Sequence, residues 1–329
     1  MKKDLIEVTA KLRGRRILVL GDMIADVYLT GNISRISREA PVLVLEQASE
    51  RVVAGGAGNV LSNIATLGGN AFAAGVLGFD GSAKGLKETL ENFGVTTEGL
   101  FCDEKRPTIT KTRIIAGGRA TVSQQIVRID KAAKQPLAAA FVSSLQQYLA
   151  KVLPGVDGVV LSDYGYGTVS PALRDYVLAE CKKQGIVTIV DSRYDIKSFR
   201  GVSYVKQNDE ELAAAVGYEI KDEEQLFAAG QELLQQLGAE GVLITRGEKG
   251  MVLFEKNGAV HNIPVTDKSE VYDVSGAGDT CVSAFILALA AGVEPVLAAE
   301  LANFAAGIAV RKMGTATVTA AELQNVLEA

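Results

Sequence analysis

Six short runs of this chain are almost continuously apolar and β-prone: Arg16-Ile-Leu-Val-Leu20, Ala71-Phe-Ala-Ala-Gly-Val76, Gly158-Val-Val-Leu161, Ile186-Val-Thr-Ile-Val190, Val202 to Val205 and Gly241-Val-Leu-Ile-Thr245. Strands without polar alternation must be covered on both faces. Their alternation with helical patterns points to βα units around a mostly parallel sheet, an α/β fold. Ligands of such sheets gather beyond the carboxyl ends of the strands. Polar clusters stand at those ends: Gly21-Asp22, Ser162-Asp163, Asp191-Ser192 and Thr245-Arg246-Gly247. Two stretches, about 27–53 and 107–130, carry alternating β-prone residues with no helix between. Thr108 to Ile115, then Gly117-Gly118, then Ala120 to Ile129 reads as a hairpin. Both stretches read as a small sheet projecting from one domain spanning 1–329, a candidate lid. No linker, low-complexity tract or repeat divides the chain.

Composition narrows the function classes. With 329 residues, 48% hydrophobic and 22% charged, the chain can bury a large core, and a net charge of −5 argues against a nucleic-acid surface. Three scattered cysteines suit free thiols in a reducing cytosol better than disulfides or zinc. The single His261 excludes a multi-histidine metal site. Met1-Lys-Lys runs into the acidic Asp4-Leu-Ile-Glu-Val, unlike a secretion signal, and the longest apolar run, Cys281 to Val293, is too short to cross a membrane. A cytoplasmic protein with no membrane partner is expected.

Chemistry concentrates in Asp273-Val-Ser-Gly-Ala-Gly-Asp279. Small residues at Ser275 to Gly278 permit a tight turn before the helix that the apolar run Cys281–Val293 predicts. Amide N–H groups at Gly276, Ala277 and Gly278 would then point outward and hold anionic oxygens. A carboxylate at Asp279, beside such a pocket, repels phosphate unless it accepts a hydroxyl proton during phosphoryl transfer. A plain strand-to-helix corner would carry the same glycines. Ala54-Gly55-Gly56-Ala57-Gly58-Asn59 opens a second helix at Val60–Leu67, its glycines allowing close backbone approach and Asn59 offering donor and acceptor to a sugar. Asn208 and Glu211, one helical turn apart, suit a phosphate oxygen and a metal-bound water, and equally a capping box. Thr245-Arg-Gly247-Glu-Lys-Gly250 is a turn between strands that would approach a nucleotide or simply close a hairpin.

Together and in this order, these motifs resemble the ribokinase-like (PfkB) family of sugar kinases, over essentially the whole chain. Gly55-Gly56 with Asn59 is similar to its N-terminal signature, Asp273 to Ala284 to its C-terminal one, and Gly21-Asp22-Met-Ile-Ala-Asp26 to the segment whose acidic residue grips the sugar. The resemblance implies a three-layer α/β/α domain with a β-sheet lid. It implies transfer of the ATP γ-phosphate to a sugar hydroxyl activated by Asp279. It places Asp22, Asp26, Gly55, Gly56, Asn59 and Asp163 at the sugar. It places Asn208, Asp209, Glu210, Glu211, Thr245, Gly247, Gly250 and Asn303 at ATP, with Glu211 serving Mg²⁺ through water; a monovalent cation is left open. No Gly-x-x-x-x-Gly-Lys-Ser/Thr is present, so this is not a P-loop enzyme.

Arg35 to Val42, Arg106 to Arg113, Gln124 to Asp130, Leu161 to Gly165 and Gly314 to Val318 further resemble the D-glycero-β-D-manno-heptose 7-phosphate kinase branch, which phosphorylates the anomeric hydroxyl. Lys111, Arg113 and Arg128 on the lid are the cations expected at the sugar phosphate. The chain departs from the branch at Tyr166 (usually Lys), Arg38 (usually Pro) and Val205-Lys-Gln207 (commonly ending Thr-Pro). Kinases of fructose 1-phosphate, tagatose 6-phosphate or a pentose are the alternatives. A silent sugar sensor is the rival class, against which Asp279 argues. Ala329 follows soon after the kinase signature, so no fused nucleotidyltransferase is expected. Exposed lid edges point to a homodimer by sheet pairing.

Overall fold

The structure is a computed structural model and describes residues 2–117, 123–133, 135–266 and 271–329. Strand β1 (Arg16–Gly21) shows how the layers arise: its side chains alternate in direction, and both directions are apolar. Ile17 and Val19 enter one core, Leu18 and Leu20 the other. The first core is closed by α1 (Lys2–Leu12), α2 (Ala57–Thr66), α3 (Gly81–Asn92), α8 (Ala277–Ala290), α9 (Pro295–Ala309) and α10 (Ala320–Glu328). The second is closed by α4 (Ala139–Val152), α5 (Pro171–Gln184), α6 (Asp209–Val216) and α7 (Glu223–Leu237).

Between them lies a nine-stranded sheet. Besides β1 it contains β4 (Asn70–Gly78), β5 (Thr96–Asp103), β8 (Gly158–Asp163), β9 (Val187–Ser192), β10 (Tyr204–Asn208), β11 (Gly241–Thr245), β12 (Met251–Glu255) and β13 (Val260–Ile263). Their order is β13-β12-β11-β10-β9-β8-β1-β4-β5. Pairing is parallel from β5 through β11 and antiparallel at β12 and β13. The carboxyl ends of β1, β8, β9, β10 and β11 therefore share one edge. His261, on β13, pairs with Glu255 at 2.8 Å, away from that edge.

Four strands, β2 (Met23–Ile36), β3 (Leu43–Gly56), β6 (Ile109–Gly117) and β7 (Gln124–Lys131), make the second sheet in the order β3-β2-β6-β7. One residue, Asp22, separates β1 from β2, so the lid is rooted at the carboxyl edge of the main sheet. Strand β7 is exposed along its whole length. The turn expected at Gly118 and Ala120 lies outside the described residues.

Several expected boundaries move. Lid strands β2 and β3 run from Met23 to Gly56, because Met23–Ala25 and Ala54 are buried and pair in register where the lid meets the core. Helices α2 and α8 start at Ala57 and Ala277, earlier than Val60 and Cys281: their small residues form the first helical turn rather than a loop before it. Strand β10 begins at Tyr204 rather than Val202. Edge strands β5 and β13 carry polar residues that hid them. Among the described residues no helix is long and apolar enough to cross a membrane.

Candidate active site

Helix α8 carries the turn that the sequence marks out. Val282, Phe285, Ile286 and Leu287 are fully buried, each contributing about 1.5–3 kcal/mol. Phe285 meets Tyr204 of β10 edge-on at 5.4 Å, so the helix is locked against the main sheet. Its N-cap, Gly276, has φ 82°, and a Cβ there would fall 2.7 Å from Asn59 Nδ2. Both the backbone conformation and the close approach require glycine. Asp273 fixes the preceding turn by accepting the Ser275 and Gly314 N–H groups, each at 2.9 Å. Ala277 N–H bonds to Val274 O at 3.3 Å, whereas the Gly278 and Asp279 N–H groups have no backbone acceptor among the described residues. They remain available to an anion.

The Asp279 carboxylate is buried and held from both sides. Asn59 Nδ2 donates to Oδ2 and the Tyr164 hydroxyl to Oδ1, both at 2.9 Å. Asn59 is itself fixed by Asn63, whose Nδ2 donates to Asn59 Oδ1 at 3.1 Å while its Oδ1 accepts from Thr280 and from Val318 N–H. Burial raises the Asp279 pKa from an ordinary 3.8 to about 6; nearby Asp191 adds to the rise, and the Asn59 and Tyr164 hydrogen bonds and Lys206 oppose it. A carboxyl poised near 6 can accept a proton at neutral pH and release it again.

Toward the lid, Asp26 is buried and fully engaged: Oδ1 accepts from Arg113 Nη1 at 2.8 Å and Oδ2 from Thr315 Oγ1 at 2.7 Å. Arg113 also stacks over Tyr28, 5.2 Å from the ring centroid. Arg128 lies opposite Arg113 in the β6–β7 register but closes bidentately on Asp130, at 2.8 and 2.9 Å, in exposed surroundings. Lys111 stands over the Tyr164 ring at 5.3 Å; burial, with Arg193 and Arg113 nearby, lowers its pKa against the pull of Asp26 and Asp279. Gly55 and Gly56 end β3 opposite Ile24 and Met23. Asp163 accepts from Ser192 Oγ at 2.7 Å and Gly165 N–H at 3.0 Å. Asp22, fully buried, accepts three backbone N–H bonds from the loop after β8.

Asp279, Asp163, Gly276, Ala277 and Gly278 share one cleft of about 1060 Å³ with Asn208, Glu211, Thr245, Gly247, Gly250 and Asn303. Gly250, at φ 83°, is a second required glycine: a Cβ there would stand 2.1 Å from Ile263 O. Asp209 and Glu210, placed at ATP by resemblance, do not line this cleft: Asp209 faces Arg246 at 3.8 Å and Glu210 is exposed. Asn208 and Glu211 do form the capping box, with Asn208 Oδ1 accepting Glu211 N–H at 2.8 Å and Glu211 Oε2 accepting Asn208 N–H at 2.9 Å.

Sequence reasoning gave no role to Tyr164, Arg193 and Lys206, and marked Asp191 only as part of a polar cluster after its strand. Lys206 is buried, 3.1 Å from Asp191 and 3.9 Å from Glu211. Burial disfavours its charge, but the two carboxylates outweigh that and hold its pKa above the ordinary lysine value. A Cβ on Gly278 would stand 3.0 Å from its Nζ, so the ammonium abuts the helix start. The departure Val205-Lys-Gln207 was its sequence signal. No group of three or more metal-ligating side chains exists among the described residues. A Mg²⁺ carried by nucleotide phosphates in this cleft would have Glu211 and Asn208 in the lining beside it.

Solved structures share this architecture. Escherichia coli phosphofructokinase-2 in complex with substrates and products matches with TM-score 0.76 and 21% identity, over 95% of this chain and 98% of that one. Arabidopsis thaliana ribokinase complexed with ribose and ATP matches with TM-score 0.73 and 19% identity, over 96% and 99%. The fold is ribokinase-like. Residues 15–321 match the pfkB family carbohydrate kinases, and the chain belongs to that family. It is also similar to the bifunctional protein HldE of Desulfatibacillum aliphaticivorans, 42% identical over 95% of this chain, and to that of Pelobacter propionicus, 38% identical over 99%. The chain spans 63% and 66% of those two relatives' lengths.

Proposed function

We propose that this kinase transfers the γ-phosphoryl group of ATP to the anomeric hydroxyl of a phosphorylated sugar, D-glycero-β-D-manno-heptose 7-phosphate. The observation that carries the reading is Asp279: a buried carboxyl with pKa about 6, beside free N–H groups at a helix start, in a cleft shared with the β10–α6 and β11–β12 connections. Asp279 takes the hydroxyl proton, the sugar oxygen bonds to the γ-phosphorus, and the bond from that phosphorus to the β-phosphate bridging oxygen breaks, releasing ADP. The Gly278 and Asp279 N–H groups and the Lys206 ammonium stabilise charge on the transferring group. Bound Mg²⁺ neutralises phosphate charge; Glu211 and Asn208 are the side chains that would hold its water shell. The heptose assignment rests on the branch resemblance and is supported by the HldE relatives.

Glu211→Gln is expected to weaken Mg²⁺ affinity about 10–100-fold, as outer-shell substitutions do. The cap itself should contribute at most about 1 kcal/mol of any stability change, since the box can re-form, and any larger loss reports buried Lys206 left with Asp191 alone. The check is the Mg²⁺ concentration for half-maximal activity together with urea unfolding. An unchanged Mg²⁺ requirement would reduce Glu211 to a cap.

Of the three lid cations expected at the sugar phosphate, Lys111 alone has no ion pair among the described residues, Arg113 closing on Asp26 and Arg128 on Asp130, which suits it to the sugar phosphate. Comparison of kcat/KM for heptose 7-phosphate, fructose 1-phosphate, tagatose 6-phosphate, ribose and fructose by coupled ADP release should rank heptose 7-phosphate first. Lys111→Met should lower that value about 10- to 150-fold, with a much smaller loss on unphosphorylated sugars and no change in the KM for ATP. Preference for ribose or fructose defeats the reading. Preference for another phosphosugar overturns the heptose assignment alone.

A further inference from the structure

We propose that Tyr164 is a positioning residue for Asp279, and that Asp22 is the anchor which holds Tyr164 in place. The proposal rests on the kinase reading above. Tyr164 Oη sits 2.9 Å from Asp279 Oδ1, while Asn59 holds Oδ2 at the same distance. Two donors on opposite oxygens fix the rotation of the carboxylate, and with it the lone pairs left to meet a substrate hydroxyl. The phenol can only donate here, because burial and the Asp279 charge raise its pKa well above the ordinary tyrosine value. A donor to the ionised form also keeps Asp279 from rising further.

A tyrosine on a loop would be a poor positioning group unless the loop were rigid. Asp22 supplies the rigidity. Its Oδ2 accepts Tyr164 N–H at 2.9 Å and Tyr166 N–H at 3.0 Å, and its Oδ1 accepts Thr168 N–H at 3.1 Å. Gly165 and Gly167, at φ 77° and 92°, let alternate N–H groups converge on that one carboxylate. Asp163 adds a bond to Gly165 N–H at 3.0 Å. The placement of Asp22 directly after β1, beside β8, makes the clamp possible. Two cations then bear on the ring, Lys111 at 5.3 Å and Arg193 at 4.9 Å from its centroid. Attraction of cations to the ring face holds the phenol where Asp22 has set its backbone. The charged and titratable groups that act on Asp279 are thus Tyr164 after β8, Asp191 of β9, Lys206 of β10 and Lys111 of the lid, with the neutral Asn59 of α2 opposite.

Tyr164→Phe keeps the ring and removes only the donor. The expected result is a fall in kcat of about 10- to 150-fold, with the KM for ATP unchanged, and an upward move of the acid limb of the kcat profile by about one pH unit. A role in packing alone would leave the limb where it is. Asp22→Asn should shift the limb in the same direction by a smaller amount, and provides the test if Tyr164→Phe folds poorly. Unfolding free energy measured from pH 4 to 8 reads the Asp279 titration without turnover, and its midpoint should rise in Tyr164→Phe. An unmoved limb and midpoint, with kcat within about twofold of wild type, overturn the proposal. A wild type that phosphorylates no sugar, while Tyr164→Phe still raises the unfolding midpoint, would instead refute the kinase reading and leave the Tyr164–Asp279 linkage standing.

Discussion

Asp279→Asn is expected to lose about 10²–10⁴-fold in kcat and yet unfold at higher denaturant than the wild type at pH 7.5. Both effects come from one property. Burial raises the carboxyl from 3.8 to about 6, so its ionised form is disfavoured in the fold. A carboxyl raised in this way contributes stability that is fully present below about 3.8 and lost as pH climbs through about 6. Above that window the native enzyme carries a penalty of about 3 kcal/mol, which a neutral amide of the same shape avoids. The stability gain should therefore appear between pH 4 and 6 and hold above it. The kcat of the wild type should fall as pH drops through about 6, because the proton acceptor is filled. Near-wild-type turnover in the variant would remove Asp279 from the role of base; a stability gain over the wild type no larger at pH 7.5 than at pH 4 would remove the penalty.

Arg113→Ala should cost about 3 kcal/mol or more of stability, since it strands a buried carboxylate. Asp26 is almost wholly enclosed, and Arg113 is its one cationic partner among the described ion pairs, at 2.8 Å. The loss should extend into the site. Asp26 also holds Thr315, and the loop carrying Thr315 brings Val318 to Asn63, which fixes Asn59 beside Asp279. Pairing the change with Asp26→Asn should recover more than half of the lost stability, because no charge is then left unpaired. Urea unfolding of the two single variants and the double one makes the measurement. Losses that simply add would mean that the pair is not coupled. The phosphate-reading role expected of Arg113 is thus entangled with a structural one, which is why Lys111 is the cleaner probe of the substrate.

Much of the site was legible because its chemistry is local. Gly276 to Asp279 form a turn and a helix start within four residues, and Asn208 with Glu211 a capping box within four. Such motifs are written in adjacent residues, whatever the rest of the chain does. The main sheet was legible for a similar reason: uninterrupted apolar runs such as Ile17 to Leu20 have no stable place except between two layers. The two lid stretches also stood out, by their lack of any intervening helix.

What the chain order alone could not reveal were pairings across long separations. Asp22 looks like a sugar ligand from its neighbours Gly21 and Asp26, but the parallel pairing of β1 with β8 delivers its carboxylate to backbone N–H groups more than 140 positions away. Lys206 reads as an oddity before Asn208 until β9 and α6 bring Asp191 and Glu211 to it. Arg113 and Arg128 are equivalent lid cations in sequence. The fold gives one a buried carboxylate and the other an exposed neighbour on its own strand. Local sequence determines which elements form and where glycine is indispensable. Which charges meet, and which protons they can carry, depends on desolvation and distance, and only the packed tertiary structure sets those.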